Sequence, residues 1–192
     1  MVSRRWRLIR RVLGVDPGTA VCGFGIVERA AAGPRFLAAG TIHTARSQGA
    51  PARLKSIYER LLELIDQYAP DAMSLERSFV AANVQSAFRL GEARAMAILA
   101  AAQRRLAFFE YAPNVAKLSV AGYGHADKKQ VKFMVRRALN LDRSVELADD
   151  ATDALALALC HLTRSRIALV AQAPARRVRR RGGAIASRVV TL

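Results

Sequence analysis

Four acidic residues stand where their carboxylates could hold metal ions. Asp16 and Glu76 each end an apolar, strand-like run. Asp150 and Asp153 lie three residues apart at the start of a helix-like apolar stretch, so one helix face would carry both. Mg²⁺ prefers oxygen ligands, and two such ions can activate a water and stabilise the leaving oxygen of a phosphoryl displacement. The set therefore predicts metal-assisted chemistry on a phosphodiester.

Each carboxylate also has a structural interpretation. An Asp at a strand end is often a turn residue, and Asp149 and Asp150 would be ordinary caps of a helix N-terminus. Glu76 fits this interpretation less well, because a buried carboxylate is costly unless it is paired or bound to metal. Spacing alone leaves both interpretations open.

The positive charge of the chain lies at its two ends. The 192 residues include 31 Lys plus Arg and 15 Asp plus Glu, for a net charge of +16. Residues 1–11 hold five Arg and residues 164–192 hold eight, with no acidic residue in either segment. We therefore expect one domain over residues 12–163, between a basic N-terminal extension and a basic, flexible C-terminal tail. Such charge predicts a polyanionic partner.

Several features favour a cytoplasmic protein with no membrane partner. No apolar run reaches the ~18–20 residues that span a bilayer, and no signal-peptide pattern follows the basic N-terminus. Cys22 and Cys160 lie in or beside apolar segments without paired spacing, which predicts packed, reduced thiols. Zinc-type Cys/His sets are absent from the sequence.

The elements around these residues predict an α/β fold. Three successive strand patterns with short connections predict an antiparallel meander, and helical and strand patterns then alternate. The predicted elements are strands 12–16, 23–28 and 35–42, helix 51–68, strand 72–76, helix 83–105, strand 106–111, a helix after the N-cap Asp127 to residue 139, and helix 151–162. This order gives a mixed five-stranded sheet flanked by helices. Asp16 and Glu76 would then share the crevice at the carboxyl ends of their strands.

Five stretches of the chain resemble the RuvC-type Holliday-junction resolvases of bacteria. They are LGVDPGT at 13–19, LERSF at 75–79, NVQSAFRLGEAR at 83–94, residues 122–131, and DATDALA at 150–156. Actin-like ATPases and sugar kinases share the Asp-Pro-Gly turn, whereas the third and fifth stretches are far more specific. The similarity is collinear from about residue 11 to residue 163. It implies an RNase H-like fold and a homodimer that uses Mg²⁺ or Mn²⁺, two ions per subunit, to nick two symmetric strands of a four-way DNA junction.

The resemblance also implies roles for individual residues. Asp16, Glu76, Asp150 and Asp153 match the catalytic, metal-binding carboxylates, although some family members have a histidine at the position of Asp150. Phe79 matches an aromatic residue that stacks on bases unpaired at the junction.

Basic residues later in the chain are expected to contact DNA. Lys117 and Lys128 match family residues near the scissile phosphate. Lys128, Lys132 and Arg136 also recur at four-residue spacing, which indicates either a solvated helix face or a phosphate track. Helix 83–105 resembles the dimer-forming helix of the family, and an intramolecular core helix would have the same sequence pattern.

The predicted function is a structure-specific endonuclease that resolves four-way DNA junctions in recombination and repair. Symmetric, metal-dependent hydrolysis would leave 5′-phosphate and 3′-hydroxyl ends. The alternative is a junction-binding protein without catalysis, suggested by Ala82 where the family usually has Lys. A sugar kinase is disfavoured because 192 residues leave no room for a second lobe. The expected partners are junction DNA, a second copy and the branch-migration motor complex, at the nucleoid of the bacterial cytoplasm.

Overall fold

The computed structural model describes residues 9–45, 47–77, 84–142 and 144–172, with side chains as far as residue 165. Its strands and helices follow one another in an α/β order. They are β1 (Arg11–Asp16), β2 (Val21–Ala30), β3 (Gly33–His43), α1 (Ala50–Tyr68), β4 (Ala72–Glu76), α2 (Val84–Gln103), β5 (Ala107–Tyr111), α3 (Pro113–Ala121), α4 (Lys128–Ala138) and α5 (Asp149–Gln172).

The five strands form one mixed sheet in the order β3-β2-β1-β4-β5. β1, β2 and β3 pair antiparallel as the predicted meander, whereas β1–β4 and β4–β5 are parallel. The parallel pairs need crossover connections, which α1 and α2 supply. Val15 pairs with Leu75 in the ladder between β1 and β4. Asp16 and Glu76, one residue further along, therefore end neighbouring strands at the same edge of the sheet.

Helices cover both faces of the sheet. On one face, α1 and α2 bury an apolar stripe against the strands, consisting of Ile57, Leu61, Leu64, Ile65, Ala97, Ala100 and Ala101. On the other face, α4 and α5 bury Val131, Val135, Leu139, Leu155, Ala158, Leu159 and Leu162. Both cores follow from the spacing of three and four residues between apolar side chains. The two thiols are buried and unpaired, as predicted.

Helix α5 lies very close to β1 and β2 because glycines face it. A Cβ atom at Gly14 would lie 1.9 Å from the carbonyl oxygen of Ala154, and one at Gly23 would lie 2.1 Å from that of Asp150. Gly25 in β2 faces the same helix. The backbone of α5 therefore rests directly on the sheet, and its first turns lie beside the carboxyl end of β1.

The sequence missed one helix and misplaced the end of another. Helix α3 was not predicted, although Pro113 at its first position and Gly122 with φ +73° at its C-terminus are ordinary helix boundary signals. Helix α5 begins two residues earlier than predicted and continues to Gln172, so the boundary placed at residue 163 falls inside it. The other predicted elements are present, with ends that differ by one or two residues. The division into a domain and two basic arms stays a prediction.

Replacing Gly14 with Ala should destabilise the domain, because the new methyl group would collide with the backbone of α5. Such overpacking typically costs about 1–3 kcal/mol. Chemical unfolding would measure the change. Gly49→Ala is a suitable control, since its Cβ would meet only Pro51 Cδ at 3.8 Å and should cost less than about 1 kcal/mol. Equal stability of Gly14→Ala and the parent protein would contradict the close contact.

Candidate active site

A cavity of about 300 Å³ opens at the carboxyl ends of β1 and β4. Three of the four predicted carboxylates line it, those of Asp16, Glu76 and Asp153, together with Lys117 and Lys128. The carboxylates come from β1, β4 and the beginning of α5, and the two lysines come from α3 and α4. The fold thus brings together acidic and basic groups that are far apart in sequence.

The fourth predicted carboxylate, Asp150, lies beside this cavity on the first turn of α5. Its charge raises the pKa of both Asp16 and Asp153. The neighbouring carboxylate of Asp149 accepts a hydrogen bond from Lys132 Nζ, at 3.1 Å from Oδ1. The charge of Asp149 also raises the pKa of Asp153, so both of the adjacent acidic residues that begin α5 act on the site, and Asp149 forms a surface ion pair in addition.

Burial and mutual repulsion make these carboxylates reluctant to ionise. Burial is the main cause that raises the pKa of Asp16 from 3.8 to about 7, and the charges of Asp153, Glu76 and Asp150 add to it in that order. Burial also raises the pKa of Glu76 and of Asp153. Lys128 opposes the shift at all three carboxylates that line the cavity. A cation in the cavity would relieve the remaining repulsion.

The donor set suits a hard divalent cation, because carboxylate oxygens are crowded together in a partly dehydrated cavity. Within the described part of the chain, no three Asp, Glu, His or Cys side chains already stand in an arrangement that could hold one ion. Bringing the carboxylates onto a shared cation therefore requires side-chain movement within the cavity.

The two lysines of the cavity stand on well-anchored helices. Lys128 is the first residue of α4, whose N-terminus is fixed by a capping box in which Asp127 Oδ1 accepts the backbone N–H of Gln130 at 2.8 Å. Lys117 lies near the middle of α3 and lowers the pKa of Glu76. Both lysines are thus placed to meet an anion that enters the cavity.

The other predicted DNA contacts have structural partners of their own. Lys132 is paired with Asp149, as described. Arg136 donates hydrogen bonds to the backbone carbonyl oxygens of Val145, at 2.7 Å, and Asp142, so it supports the loop that leads into α5. Phe79 and Ala82 lie outside the described residues. The predicted DNA contacts of these residues stay predictions.

Arg94 on α2 has a role that the sequence did not predict. Its guanidinium donates hydrogen bonds to the backbone carbonyl of Glu76 and to the carboxylate of Glu110 in β5, and its side chain is only 14% exposed. It thereby fixes the end of β4 from which Glu76 enters the cavity. In the sequence, Arg94 stands directly before the uncharged, apolar run of residues 95–102, and this position is the one sign that its side chain has a partner in the fold.

A second polar contact joins β5 to α5. Tyr111 Oη and His161 Nδ1 are 2.7 Å apart, and the ring of Phe109 stacks on the imidazole with centroids 4.0 Å apart. Burial, followed by the charge of Arg29, lowers the pKa of His161 to about 4. Since Tyr111 pairs with Glu76 in the sheet, this contact fixes the strand next to the acidic residue.

The same domain matches a family of known proteins. The sequence model described as "Crossover junction endodeoxyribonuclease RuvC" matches residues 12–161. The chain belongs to the RuvC family. Proteins named crossover junction endodeoxyribonuclease RuvC from Thermotoga maritima and Geobacter sulfurreducens are 44% and 45% identical to it. The alignments cover 81% and 79% of this chain, and 92% and 91% of those proteins.

Solved structures share the fold. T. thermophilus RuvC in complex with Holliday junction substrate has a TM-score of 0.77 at 31% identity, over 83% of this chain and 96% of that one. The yeast mitochondrial Holliday junction resolvase Ydc2, 16% identical, has a TM-score of 0.61 over 88% of this chain and 84% of its own. The predicted family and RNase H-like fold are confirmed, and the predicted endonuclease function is the one in the RuvC family's name. Among the described residues, no helix combines the length and apolarity that crossing a bilayer requires.

Replacing Asp16 with Asn should stabilise the metal-free protein above pH 7. The pKa of Asp16 is about 7 in the folded state and near its ordinary 3.8 in the unfolded chain. The folded state therefore binds more protons between these values and loses stability as the pH rises through them. At roughly 1.4 kcal/mol per pKa unit the ionised carboxylate costs a few kcal/mol above pH 7, and Asn removes that cost. Chemical unfolding with a chelator, at pH 4 and pH 8, would measure a gain that shrinks toward pH 4.

Asp66→Asn is a control of opposite sign. A hydrogen bond from Arg104 lowers the pKa of Asp66, so this carboxylate stabilises the protein above its unfolded pKa and the benefit is lost as the pH falls. Its replacement should lower stability at pH 8. A loss of stability at pH 8 in Asp16→Asn as well would contradict the repulsion described for the cavity.

Replacing Arg94 with Lys should slow DNA cleavage by roughly 10- to 100-fold, the usual effect of removing a residue that orients a ligand. The charge is kept, but an ammonium group cannot reproduce the planar fork that reaches both Glu76 and Glu110. Cleavage rate, DNA affinity and unfolding free energy would be measured together, and we expect the first to change most. Arg104→Lys, at the exposed pair with Asp66, is the matched control. Cleavage at the parent rate by Arg94→Lys would exclude the positioning role.

Proposed function

We propose that this chain is a structure-specific endonuclease that resolves four-way DNA junctions in recombination and repair by metal-dependent hydrolysis. The observation that supports this most directly is the cavity in which Asp16, Glu76 and Asp153 face Lys117 and Lys128. Such a cavity suits cations and a phosphate group together, and it lies in a domain of the crossover junction endodeoxyribonuclease family. The products would carry 5′-phosphate and 3′-hydroxyl ends.

The cofactor we propose is Mg²⁺, with Mn²⁺ able to substitute and two ions per subunit. Asp16, Glu76, Asp150 and Asp153 would hold them. When bound, such ions supply an activated water and stabilise the leaving oxygen of an in-line displacement. The chain itself orients the donors: the ends of β1 and β4 fix the first two residues, and the first turns of α5 fix the last two. Their high pKa values mean that cation binding also favours their ionised forms.

The lysines would act on the DNA rather than on the metal. Lys117 and Lys128 lie on the cavity wall, where an ammonium group can offset the negative charge that develops on the scissile phosphate. Helices hold the backbones of both lysines at the cavity, and their long side chains can adjust when the phosphate enters. Phe79 completes the proposal as the residue that stacks on unpaired bases at the junction.

Symmetric cleavage requires two active sites, and helix α2 offers a surface for a second copy. Its inner face packs on the core through alanines, including Ala97 and Ala100. Its outer face exposes four large apolar side chains whose spacing places them on one side of the helix, namely Val84, Phe88, Ile98 and Leu99. An exposed apolar stripe of this kind is typical of a protein interface. A twofold dimer through α2 would present two cavities to opposed strands of one junction.

The alternative function, junction binding without catalysis, is less well supported by the geometry. A binding protein has no need for three half-buried carboxylates with raised pKa values beside the DNA surface, because such groups repel phosphate. The branch-migration motor complex is a further proposed partner. A four-way junction in the chromosome as the substrate would place the protein at the nucleoid of the bacterial cytoplasm.

A labelled synthetic four-way junction with Mg²⁺ would test the function. The parent protein should make paired nicks on two opposed strands, whose ends can be mapped. Asp16→Asn should bind the junction but cleave it at least roughly a hundredfold more slowly, because a carboxylate that holds the metal is lost. Asp66→Asn, an exposed Asp on another surface, should cleave normally. Binding by the parent protein without cleavage would favour the alternative, and normal cleavage by Asp16→Asn would exclude the role of that residue.

A further inference from the structure

Large apolar side chains that are exposed in the described residues fall into two groups. One is the outer face of α2, the proposed dimer surface. The other lies in the α3–α4 hairpin, residues 113–138, and consists of Leu118, Tyr123 and Phe133, the last of which is 61% exposed. Single exposed apolar residues are ordinary on protein surfaces, so this second group needs a further observation before it indicates a partner.

The charge of the α3–α4 hairpin supplies that observation. It contains six Lys or Arg residues and one acidic residue, Asp127, whose carboxylate already caps α4. Helix α2, in contrast, contains two Arg and one Glu. The apolar face of α2 therefore suits another copy of the chain, whereas the apolar groups of the hairpin stand among cations and suit a polyanion with apolar parts.

On α4 these two properties meet in one stripe. Lys129, Phe133 and Arg137 follow at four-residue spacing, and all three are exposed, while Val131 and Val135 are buried on the opposite side. We call these three residues the outer stripe of α4.

The cations of the outer stripe are uncommitted. Within the described residues, Lys129 and Arg137 form no ion pair, whereas Lys132 and Arg136 are engaged with Asp149 and with backbone carbonyls. The cations that the structure leaves free to bind a ligand therefore differ from the track of Lys128, Lys132 and Arg136 that the sequence predicted.

The outer stripe belongs to the same hairpin that forms one wall of the active site. Lys128, adjacent to Lys129, lines the catalytic cavity together with Lys117 of α3. Val131, on the side of α4 opposite the stripe, also lines this cavity, so a strand that leaves the cavity reaches the stripe around the N-terminus of α4, where Lys128 and Lys129 are neighbours. Cations that follow a backbone, interleaved with an aromatic ring, are the pattern of proteins that bind unpaired nucleotides, because every base has a face on which a ring can stack.

We propose that the outer stripe of α4 binds unpaired nucleotides of the junction strand next to the cleavage point. Lys129 and Arg137 contact phosphates on either side, and Phe133 stacks on a base between them. This inference rests on the proposed function. It adds a second stacking position, Phe133 on α4, to the one proposed for Phe79. It also assigns the surface to DNA rather than to a protein partner.

Salt-dependent binding would test the proposal, with fluorescence anisotropy of a labelled four-way junction and of a matched duplex. All variants would be made in an Asp16→Asn background, so that the DNA stays intact. Lys129→Ala and Arg137→Ala should each lower the slope of log K against log salt by about 0.7–0.9, one phosphate contact each. Phe133→Ala should weaken junction binding by roughly tenfold, leave the slope unchanged and leave duplex binding unchanged. Phe133→Tyr should restore junction affinity because it keeps the ring.

The control is Lys55→Ala, which removes an exposed cation from α1 on the other face of the sheet and should not change the slope. Three results would overturn the proposal: junction binding by Phe133→Ala equal to that of the background protein, an equal loss for duplex, or weakened self-association with DNA affinity unchanged. The last would assign the stripe to a protein partner. A failure of the proposed function would look different, since the protein with Asp16 intact would then fail to cleave the junction whichever residue stood at position 133.

Discussion

The close approach of helix α5 to strands β1 and β2 is the constraint on which the active site depends. Gly14 and Gly23 leave no side chain between the helix backbone and the sheet, so the carbonyl groups of α5 occupy space that a Cβ would fill. The same contact brings the first turns of α5 to the carboxyl end of β1. Packing and electrostatics therefore conflict at this point: the glycines that allow a dense core also bring Asp150 and Asp153 toward Asp16. Burial, followed by the charges of its acidic neighbours, raises the pKa of Asp16 to about 7.

The rest of the domain limits that cost. Lys117 and Lys128 line the same cavity and favour the ionised carboxylates. Arg94 on α2 holds the backbone of Glu76 through one hydrogen bond and the carboxylate of Glu110 in β5 through another. The mutually repelling carboxylates are thus confined to a small cavity between helices and strands. Positive charge lies on the α3–α4 hairpin and at the two ends of the chain. The domain attracts DNA around a site that would repel it in the absence of cations.

The sequence predicted the parts of this arrangement that local patterns determine. Apolar runs located β1 and β4 and hence Asp16 and Glu76, and a capping pattern located the start of α4. Tertiary contacts were not predictable in the same way. The apolar run after Arg94 marks that residue as unusual, but it does not indicate that the side chain reaches the end of β4. The α4 stripes show the difficulty most clearly. A four-residue spacing fits Lys128, Lys132 and Arg136, and it fits the outer stripe of Lys129, Phe133 and Arg137 equally well. Only the burial of Val131 and Val135 shows that the outer stripe faces away from the core.

The contact between Tyr111 and His161 gives the enzyme a framework whose protonation does not change near neutrality. An imidazole with a pKa of about 4 is uncharged at every pH at which cells operate, so the junction of β5 with α5 keeps one set of hydrogen-bonding roles. Acidification that protonates Asp16 lowers the negative charge in the cavity, whereas the contact between Tyr111 and His161 keeps its charge state. In the metal-free protein, a fall in pH through 7 therefore changes the charge of the cavity and leaves this contact between β5 and α5 uncharged.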